Sequence, residues 1–266
     1  LVIETNKPKL IKQNYKEAGL DCLVCIGGNG TMKTANLLSE EGLNIIGIPK
    51  TIDNDVWGTD ITFGFDSAVN IATEAIDRLH TTANSHKRIM IIEVMGHHAG
   101  WIALYAGLAG GGDIILIPEL PYDEKVIIQY LEKRASIKKA YSIIVVAEGI
   151  ERPKKVKAGD HIARIIMDNT DYETRVTALG YIQRGGTPSP TDRILATRYG
   201  TYAAELIAKE KYGQMVAIRN DQIMEVPLSE VGGLTRLVPP DFHLIDKARK
   251  IGTCFGDKKP INVTAI

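Results

Sequence analysis

Short runs of Val and Ile that are apolar at nearly every position constrain the fold of this chain most strongly. Residues 89–92 and 143–146 show no alternation of polar and apolar side chains, so both faces of each strand must be covered. Segments with helical spacing separate the runs, which is typical of parallel strands joined by crossover helices. The pattern predicts an α/β fold with strands over 23–26, 44–48, 88–94, 113–118, 142–147, 174–179 and 214–218.

Helical spacing and glycine stops mark the segments between these strands. Gly42 and the Gly110-Gly111-Gly112 run stand where two of the helices end, a position that favours glycine. The predicted helices cover 32–41, 101–108, 123–140 and 191–211. The basic residues around Pro153 predict an exposed loop over 151–159.

Length and charge narrow the functional classes. The chain has 266 residues, enough for two domains, and its 32 Lys plus Arg balance its 32 Asp plus Glu. A neutral chain has no overall field that attracts nucleic acid or an anionic membrane. Apolar runs stay far below the ~20 residues of a membrane span, and no secretory leader is evident. We therefore expect a cytoplasmic protein that binds neither nucleic acid nor membranes.

The three cysteines are Cys22, Cys25 and Cys254. Their odd number fits a reducing compartment rather than a disulfide framework. Cys22 and Cys25 form a lone Cys-x-x-Cys within an apolar strand, which predicts buried apolar side chains rather than a redox or metal site.

A glycine-rich turn, Gly27-Gly28-Asn29-Gly30-Thr31, joins the first predicted strand to a helix. This arrangement directs backbone N–H groups and a helix N-terminus at an anion, and phosphate is the natural ligand. The spacing is neither the three-glycine dinucleotide pattern nor a P-loop. A tight turn without a ligand would use similar glycines, so that alternative stays open.

The next strand leads into a turn that carries Lys50, Thr51, Asp53 and Asp55. One carboxylate can accept the proton of an attacking hydroxyl while another helps to hold a metal ion, and the cation can balance phosphate charge. These residue types therefore suit phosphoryl transfer. The alternative is a turn in which Asp53 and Asn54 make local hydrogen bonds.

Polar and glycine residues also follow three later strands. They include the segment Met95-Gly96-His97-His98, then Glu148, and the segment from Tyr181 to Gly186. The carboxyl ends of parallel strands are where open α/β sheets bind ligands. Arginines near glycines suit a phosphate, whereas adjacent histidines point apart and do not favour a metal site.

Taken in chain order, these motifs resemble those of the phosphofructokinases. The stretches 51–55 and 183–186 are the most specific, and the resemblance covers nearly the whole chain. It implies two Rossmann-like three-layer α/β/α domains with mostly parallel sheets. It also implies that the family's first strand and glycine-rich loop are missing, so we expect these 266 residues to be inactive by themselves. Residues 1–64 and 183–233 would form the phosphoryl-donor domain, and residues 65–182 and 234–266 the sugar-phosphate domain.

The resemblance implies transfer of the terminal phosphoryl group of ATP to the 1-hydroxyl of fructose 6-phosphate, a step of glycolysis, with Mg²⁺ as cofactor. Asp53 would remove the hydroxyl proton, Thr51 would lie beside the transferred group, and Asp55 would support Asp53. The implied donor-binding residues are Gly27, Gly28, Asn29, Gly30, Thr31 and Lys50, and the implied substrate-binding residues are Arg88, Met95, Gly96, His97, Glu148, Arg175, Tyr181 and Arg184. Arg88 and Arg175 resemble arginines that the family supplies across a subunit boundary, which implies a homo-oligomer, either a dimer or a tetramer.

Three positions depart from the family's common pattern. Asn29 stands where many members have an aspartate that engages magnesium. The neutral amide lacks the negative charge of that aspartate and is therefore the weaker metal ligand. His97 replaces an arginine, and a neutral imidazole offers less stabilisation of phosphoryl charge. Tyr181 replaces a common histidine but keeps a hydroxyl that can donate to phosphate.

The donor and two further alternatives stay open at this point. In the family, glycine at the position of Gly30 goes with ATP, whereas lysine at the position of Lys50 is typical of pyrophosphate users. We favour ATP and keep pyrophosphate as the alternative. Asn29 and His97 suggest a catalytically impaired, sugar-phosphate-binding regulatory paralogue, against which the retained Asp53 argues. Another kinase of the wider superfamily, acting on NAD or a lipid head group, would not predict the 183–188 segment.

Overall fold

The computed structural model describes residues 7–259, with side chains from Lys9 onwards. These residues form two compact units. The first unit comprises 7–51, Asp55–Gly64 and Pro190–Arg236, and the second comprises Ile52–Asn54, Phe65–Ser189 and 237–259. What each unit binds stays a prediction.

Strands and helices alternate along most of the chain. The strands are β1 (Leu23–Gly27), β2 (Ile45–Thr51), β3 (Phe63–Gly64), β4 (Ile89–Val94), β5 (Ile114–Leu116), β6 (Ser142–Ala147), β7 (Thr174–Ala178), β8 (Gln214–Arg219) and β9 (Gln222–Pro227). The helices are α1 (Lys7–Glu17), α2 (Asn29–Glu40), α3 (Phe65–His86), α4 (Trp101–Ala109), α5 (Glu124–Ser136), α6 (Ala158–Asn169), α7 (Pro190–Ala208), α8 (Leu228–Val231) and α9 (His243–Lys250). A 3-10 helix covers Gly180–Arg184.

The sheet of the first unit has the order β1-β2-β8-β9, with β3 paired to β2. Strands β1, β2, β3 and β8 are parallel, and β9 returns antiparallel to β8. Asn220 and Asp221 form the two-residue turn between β8 and β9, with φ of 51° and 60°. Two successive left-handed residues are the geometry that suits a tight hairpin.

Apolar side chains cover both faces of this sheet, as the unbroken apolar runs require. Ile45 packs on one face in a cluster with Met32 of α2, and Ile46 points to the other face in a cluster with Leu195 and Tyr199 of α7. Neighbouring strand residues alternate between faces, so helices on both sides are needed to bury them.

The sheet of the second unit is entirely parallel, with the order β5-β6-β4-β7. Gly107 lets α4 approach Ile115 and Val145 on one face. Gly159 of α6 approaches Val176, which points to the opposite face. The confirmed fold class is therefore α/β with mostly parallel sheets and helices on both sides.

Several boundaries differ from the predicted ones. Helix α2 begins at Asn29, three residues earlier than predicted, so the glycine-rich turn is itself the first helical turn. The predicted exposed loop over 151–159 ends early, because Ala158 and Gly159 are buried in α6. Cys25 in β1 and Cys22, the residue before β1, are only half-buried, since β1 lies at the edge of the sheet, whereas Cys254 is buried. Among the helices of residues 7–259, none combines the length and the apolar character that a membrane crossing requires.

Replacing Ile92 of β4 with alanine is expected to lower the free energy of unfolding by about 2–5 kcal/mol, the usual cost of a core cavity. The side chain is fully buried. Chemical denaturation would measure the change. Ile137→Ala is the matched control, because that side chain is 46% exposed and its loss should cost less than about 0.5 kcal/mol. Equal losses in the two variants would contradict the assignment of Ile92 to the core.

Candidate active site

The carboxyl ends of β1 and β2 lie side by side in the first unit. Gly27 at the end of β1 is in register with Pro49 of β2. Because the two strands are parallel, the loops that follow them leave from the same edge of the sheet. The glycine-rich turn and the turn with the paired carboxylates are therefore neighbours.

Gly28 is the point of closest approach between the two turns. A side chain there would place its Cβ 3.3 Å from the Cβ of Thr51. Gly28 is also the N-cap of α2, and no side chain caps this helix. The first N–H groups of a helix have no intrahelical partner, so those of Asn29, Gly30 and Thr31 can bind an anion beside Thr51.

A pair of hydrogen bonds joins Asn29 to Asp55. The Asn29 amide nitrogen donates to Asp55 Oδ2 at 2.7 Å and to the Asp55 carbonyl oxygen at 3.1 Å. Asp55 is buried, so this neutral donor stabilises a carboxylate that has little access to water. The other amide atom, Asn29 Oδ1, is buried and has no hydrogen-bond partner.

Other backbone bonds fix the turn that carries the carboxylates. The backbone N–H of Arg236 donates to the Asp55 carbonyl at 2.7 Å, and the Thr62 hydroxyl donates to the Thr51 carbonyl at 2.8 Å. Asp53 is half-buried and stands two residues from both Thr51 and Asp55. Chain geometry therefore places its Cα within about 7 Å of theirs. Lys50 is exposed at the end of β2.

In the second unit, the turn that follows β4 is held by side chains from neighbouring elements. We call residues 95–100 the β4 turn. Glu148 Oε1, after β6, accepts a hydrogen bond from the His97 N–H at 2.9 Å. Gly96 has φ of 147°, and a Cβ there would lie 2.4 Å from the Ala99 carbonyl oxygen. Only glycine fits this backbone conformation. Met95, Gly96 and His97 thus lie beside Glu148, while His97 itself is exposed.

Glu119, which follows β5, anchors the far end of the β4 turn. Its two oxygens accept from the Gly100 N–H at 2.9 and 3.2 Å, and Oε1 also accepts from the Val238 N–H at 2.9 Å. Burial raises the pKa of Glu119, and the bonds from Val238 and Gly100 oppose that shift. The carboxylate lies at the N-terminus of α4, where negative charge is favourable.

Tyr181 and Arg184 project from the 3-10 helix beyond β7. The Tyr181 side chain is 81% exposed. The Arg184 guanidinium lies 5.6 Å from the centre of the Tyr181 ring, a cation–π distance. The two side chains therefore form one exposed, cationic patch at the same edge of the sheet as Glu148.

Arg88 and Arg175 lie elsewhere in the same unit. Arg88 precedes β4 and Arg175 is near the start of β7, whereas Met95 and Tyr181 follow the ends of those strands. Six residues of β4 span roughly 20 Å. Glu173 joins the two arginines: it accepts from Arg88 Nε at 2.7 Å and also pairs with Arg175. The hydrogen bond from Arg88, with Arg175 nearby, lowers the pKa of the Glu173 carboxyl.

Three polar residues of this architecture are absent from the residues predicted to form the site. Glu119 accepts hydrogen bonds from backbone N–H groups, and Glu173 pairs with two arginines. Gln183 is 1% exposed and accepts a hydrogen bond from the β4 turn. Glu119 could have been predicted from its position directly after a strand, as Glu148 was. No local pattern distinguishes Gln183 from its exposed neighbours, because its burial depends on packing.

Comparison with known proteins supports this description of the chain. The family model for phosphofructokinase matches residues 3–207. The chain is 58% identical to the ATP-dependent 6-phosphofructokinase of Spirochaeta thermophila over 270 residues, which cover 95% of this chain and 74% of that protein. It is also 58% identical to ATP-dependent 6-phosphofructokinase 3 of Bacteroides thetaiotaomicron, over 96% of this chain and 76% of that protein.

Solved structures show the same fold. Phosphofructokinase from Saccharomyces cerevisiae superposes with a TM-score of 0.75 at 34% identity, over 84% of this chain and 34% of the yeast chain. A pyrophosphate-dependent phosphofructokinase from Marinobacter aquaeolei gives a TM-score of 0.79 at 26% identity, over 88% of this chain and 65% of that one. The chain thus spans about three quarters of the curated relatives and less than two thirds of these two structures. Its sequence and fold together place it in the phosphofructokinase family.

Proposed function

We propose that this protein is an ATP-dependent 6-phosphofructokinase, a phosphotransferase that moves the terminal phosphoryl group of ATP to the 1-hydroxyl of fructose 6-phosphate. The observation that carries the proposal is the contact between the glycine-rich turn and the turn of Thr51 and Asp55 in the first unit. One turn offers N–H groups to phosphate and the other offers carboxylates to a hydroxyl. The names of the two curated relatives support the same activity.

Asp53 is the general base of this proposal. A carboxylate can accept the proton of the attacking hydroxyl as the bond to phosphorus forms. Asp55 follows two residues later in the same turn, and Asn29 donates a hydrogen bond to its carboxylate. The Asn29–Asp55 pair therefore fixes the turn that carries the base.

Asp53→Ser is expected to lower kcat by at least about 10²-fold, the lower range for removal of a general base. Binding of fructose 6-phosphate should change little. Steady-state assays of the full-length protein and calorimetric titration of the sugar phosphate measure the two quantities. Asp77→Ser, at an exposed position of α3, is the control and should keep wild-type turnover. Unchanged turnover in Asp53→Ser would refute the role of Asp53.

ATP is the donor that best fits the space at Gly30. A Cβ built on Gly30 meets no atom within 4 Å, so the protein itself does not require glycine there. A nucleotide beside the first turn of α2 would require it, because a side chain would occupy its space. Lys50, which is exposed, can balance the phosphate charge of either donor, and pyrophosphate remains the alternative.

Gly30→Asp tests the donor. The variant should keep the wild-type melting temperature, since its side chain points into open space, while kcat/KM for ATP falls at least about tenfold, or ~1.4 kcal/mol. Thr51, Asp53 and Asp55 are untouched, so any use of pyrophosphate serves as the internal reference. Wild-type protein that phosphorylates fructose 6-phosphate faster with pyrophosphate than with ATP would overturn the assignment of ATP. Sugar-phosphate binding without turnover from either donor would favour the regulatory paralogue.

The sugar phosphate binds in this proposal at the carboxyl edge of the second sheet. Met95, Gly96 and Glu148 contact the sugar, His97 lies beside them, and Tyr181 and Arg184 bind the 6-phosphate. The exposed Arg184 guanidinium, oriented by the Tyr181 ring, suits a phosphate dianion.

Arg88 and Arg175 act in a neighbouring subunit. Both lie at the amino end of the strands whose carboxyl ends carry the sugar-binding residues. A separation of roughly 20 Å along the strands exceeds the reach of an arginine side chain, so neither can serve the same subunit's sugar site. Their pairing with one glutamate keeps the two guanidinium groups together. A homo-oligomer with shared sites follows.

Mg²⁺ fits the chemistry of the donor site. Within residues 7–259, no three His, Cys, Asp or Glu side chains are grouped to hold a metal. Mg²⁺ at phosphoryl-transfer sites is commonly held by one or two side-chain oxygens together with substrate phosphates. The buried Asn29 Oδ1, which lacks a hydrogen-bond partner, beside the Asp55 carboxylate supplies such a set. When bound, the ion would neutralise phosphate charge.

Asn29→Asp is expected to lower the melting temperature in the absence of Mg²⁺, because it replaces an N–H donor with a second carboxylate next to Asp55. Each kcal/mol of lost stability lowers the melting temperature by about 2–4 °C. Millimolar Mg²⁺ should restore part of the loss. Asn36→Asp is the matched control, because Asn36 donates to the exposed Glu40 at 2.9 Å and should respond less. Equal melting temperatures and no effect of Mg²⁺ would contradict the proposed site.

A further inference from the structure

We propose that Gln183 is a positioning residue that sets the β4 turn relative to the 3-10 helix with Tyr181 and Arg184. This inference rests on the proposed function, because both segments are assigned to sugar-phosphate binding. Gln183 would touch no substrate. It would act by holding two substrate-binding segments in one fixed arrangement.

Burial distinguishes Gln183 from the rest of the 3-10 helix. Its side chain is 1% exposed, whereas Tyr181 and Ile182 are 81% and 64% exposed. A buried primary amide is costly unless its donor and acceptor both find partners. An inward-facing amide in an otherwise outward-facing segment therefore indicates a specific structural role.

The two ends of the amide bind different segments. Oε1 accepts from the buried Met95 N–H at 3.4 Å, and Nε2 donates to the Gly180 carbonyl at 3.2 Å. The partners determine the orientation, because the oxygen faces an N–H group and the nitrogen faces a carbonyl. The side chain thus links the β4 turn to the start of the 3-10 helix.

The sheet cannot satisfy the Met95 N–H. The backbone ladder between β4 and β7 ends at Glu93, whose carbonyl accepts from Leu179 N–H at 3.0 Å. Met95 lies beyond the last strand residue, and its N–H is buried. Gln183 supplies the acceptor that the ladder no longer provides, at the position where the chain turns into Gly96.

The other hydrogen bonds of the β4 turn fix it to two strands, so the Gln183 link determines its position relative to the segment after β7. Glu148 holds the His97 N–H and Glu119 holds the Gly100 N–H, so the turn is fixed to β6 and β5. Gln183 is the side chain that fixes it to the segment after β7. Loss of this link should loosen the spacing between Met95 and Arg184, and thus weaken sugar-phosphate binding more than turnover.

Gln183→Met, which has similar length and no amide, tests the inference in the full-length protein. The KM for fructose 6-phosphate and its calorimetric Kd should rise about tenfold, which corresponds to ~1.4 kcal/mol. The KM for ATP and kcat should change less than about twofold. Gln183→Glu keeps an acceptor for the Met95 N–H and should show a smaller rise than Gln183→Met.

Gln129→Met is the matched control, since Gln129 is exposed on α5, and it should leave all constants unchanged. Unaltered KM and Kd in Gln183→Met, or a fall of kcat at unchanged KM, would overturn the inference. If Gln183→Met does not fold, Gln183→Ala, which also removes the acceptor for the Met95 N–H, tests the inference by the same comparison of KM with kcat. Wild-type protein that binds fructose 6-phosphate without turnover would defeat the proposed kinase activity, yet Kd would still test Gln183.

Discussion

Parallel strand pairing is the constraint on which the arrangement of the proposed site residues depends. Parallel strands end at a common edge, so the loops that follow them emerge together even when they are far apart in sequence. In the first unit this brings Asn29 to Asp55, twenty-six positions later. In the second unit it brings His97 to Glu148, fifty-one positions later. The same constraint sends Arg88 and Arg175 to the other edge of that sheet, at the amino ends of β4 and β7.

Side chains complete the hydrogen bonding where the ladders stop. A strand end leaves N–H groups without a ladder partner, and each needs another acceptor, in the protein or in water. Glu148, Glu119 and Gln183 provide acceptors for His97, Gly100 and Met95, respectively. These bonds fix a turn whose exposed surface can then bind a ligand without rearrangement, which lowers the cost of binding.

The sequence predicted the central strands well, because fully apolar runs such as residues 143–146 allow few other structures. It did not predict β9 or α3. Strand β9 contains Gln222, Glu225 and Pro227. It lies at the edge of the sheet, where a strand needs no continuous apolar run, so the apolar pattern used to find the other strands is absent. The buried face of α3 includes Ala68, Ala72 and Ala83, whose small side chains give a weak hydrophobic signal.

The amino-acid sequence by itself determined the fold class, the family and the residue types available for phosphoryl transfer, because apolar runs and glycine-bounded motifs are local patterns. Only the tertiary structure decided which of those residues meet. It placed Asn29 against Asp55, separated Arg88 from Met95 by the length of a strand, and buried Gln183 among exposed neighbours. Such relations arise from strand order and packing between distant segments, and no local pattern encodes them.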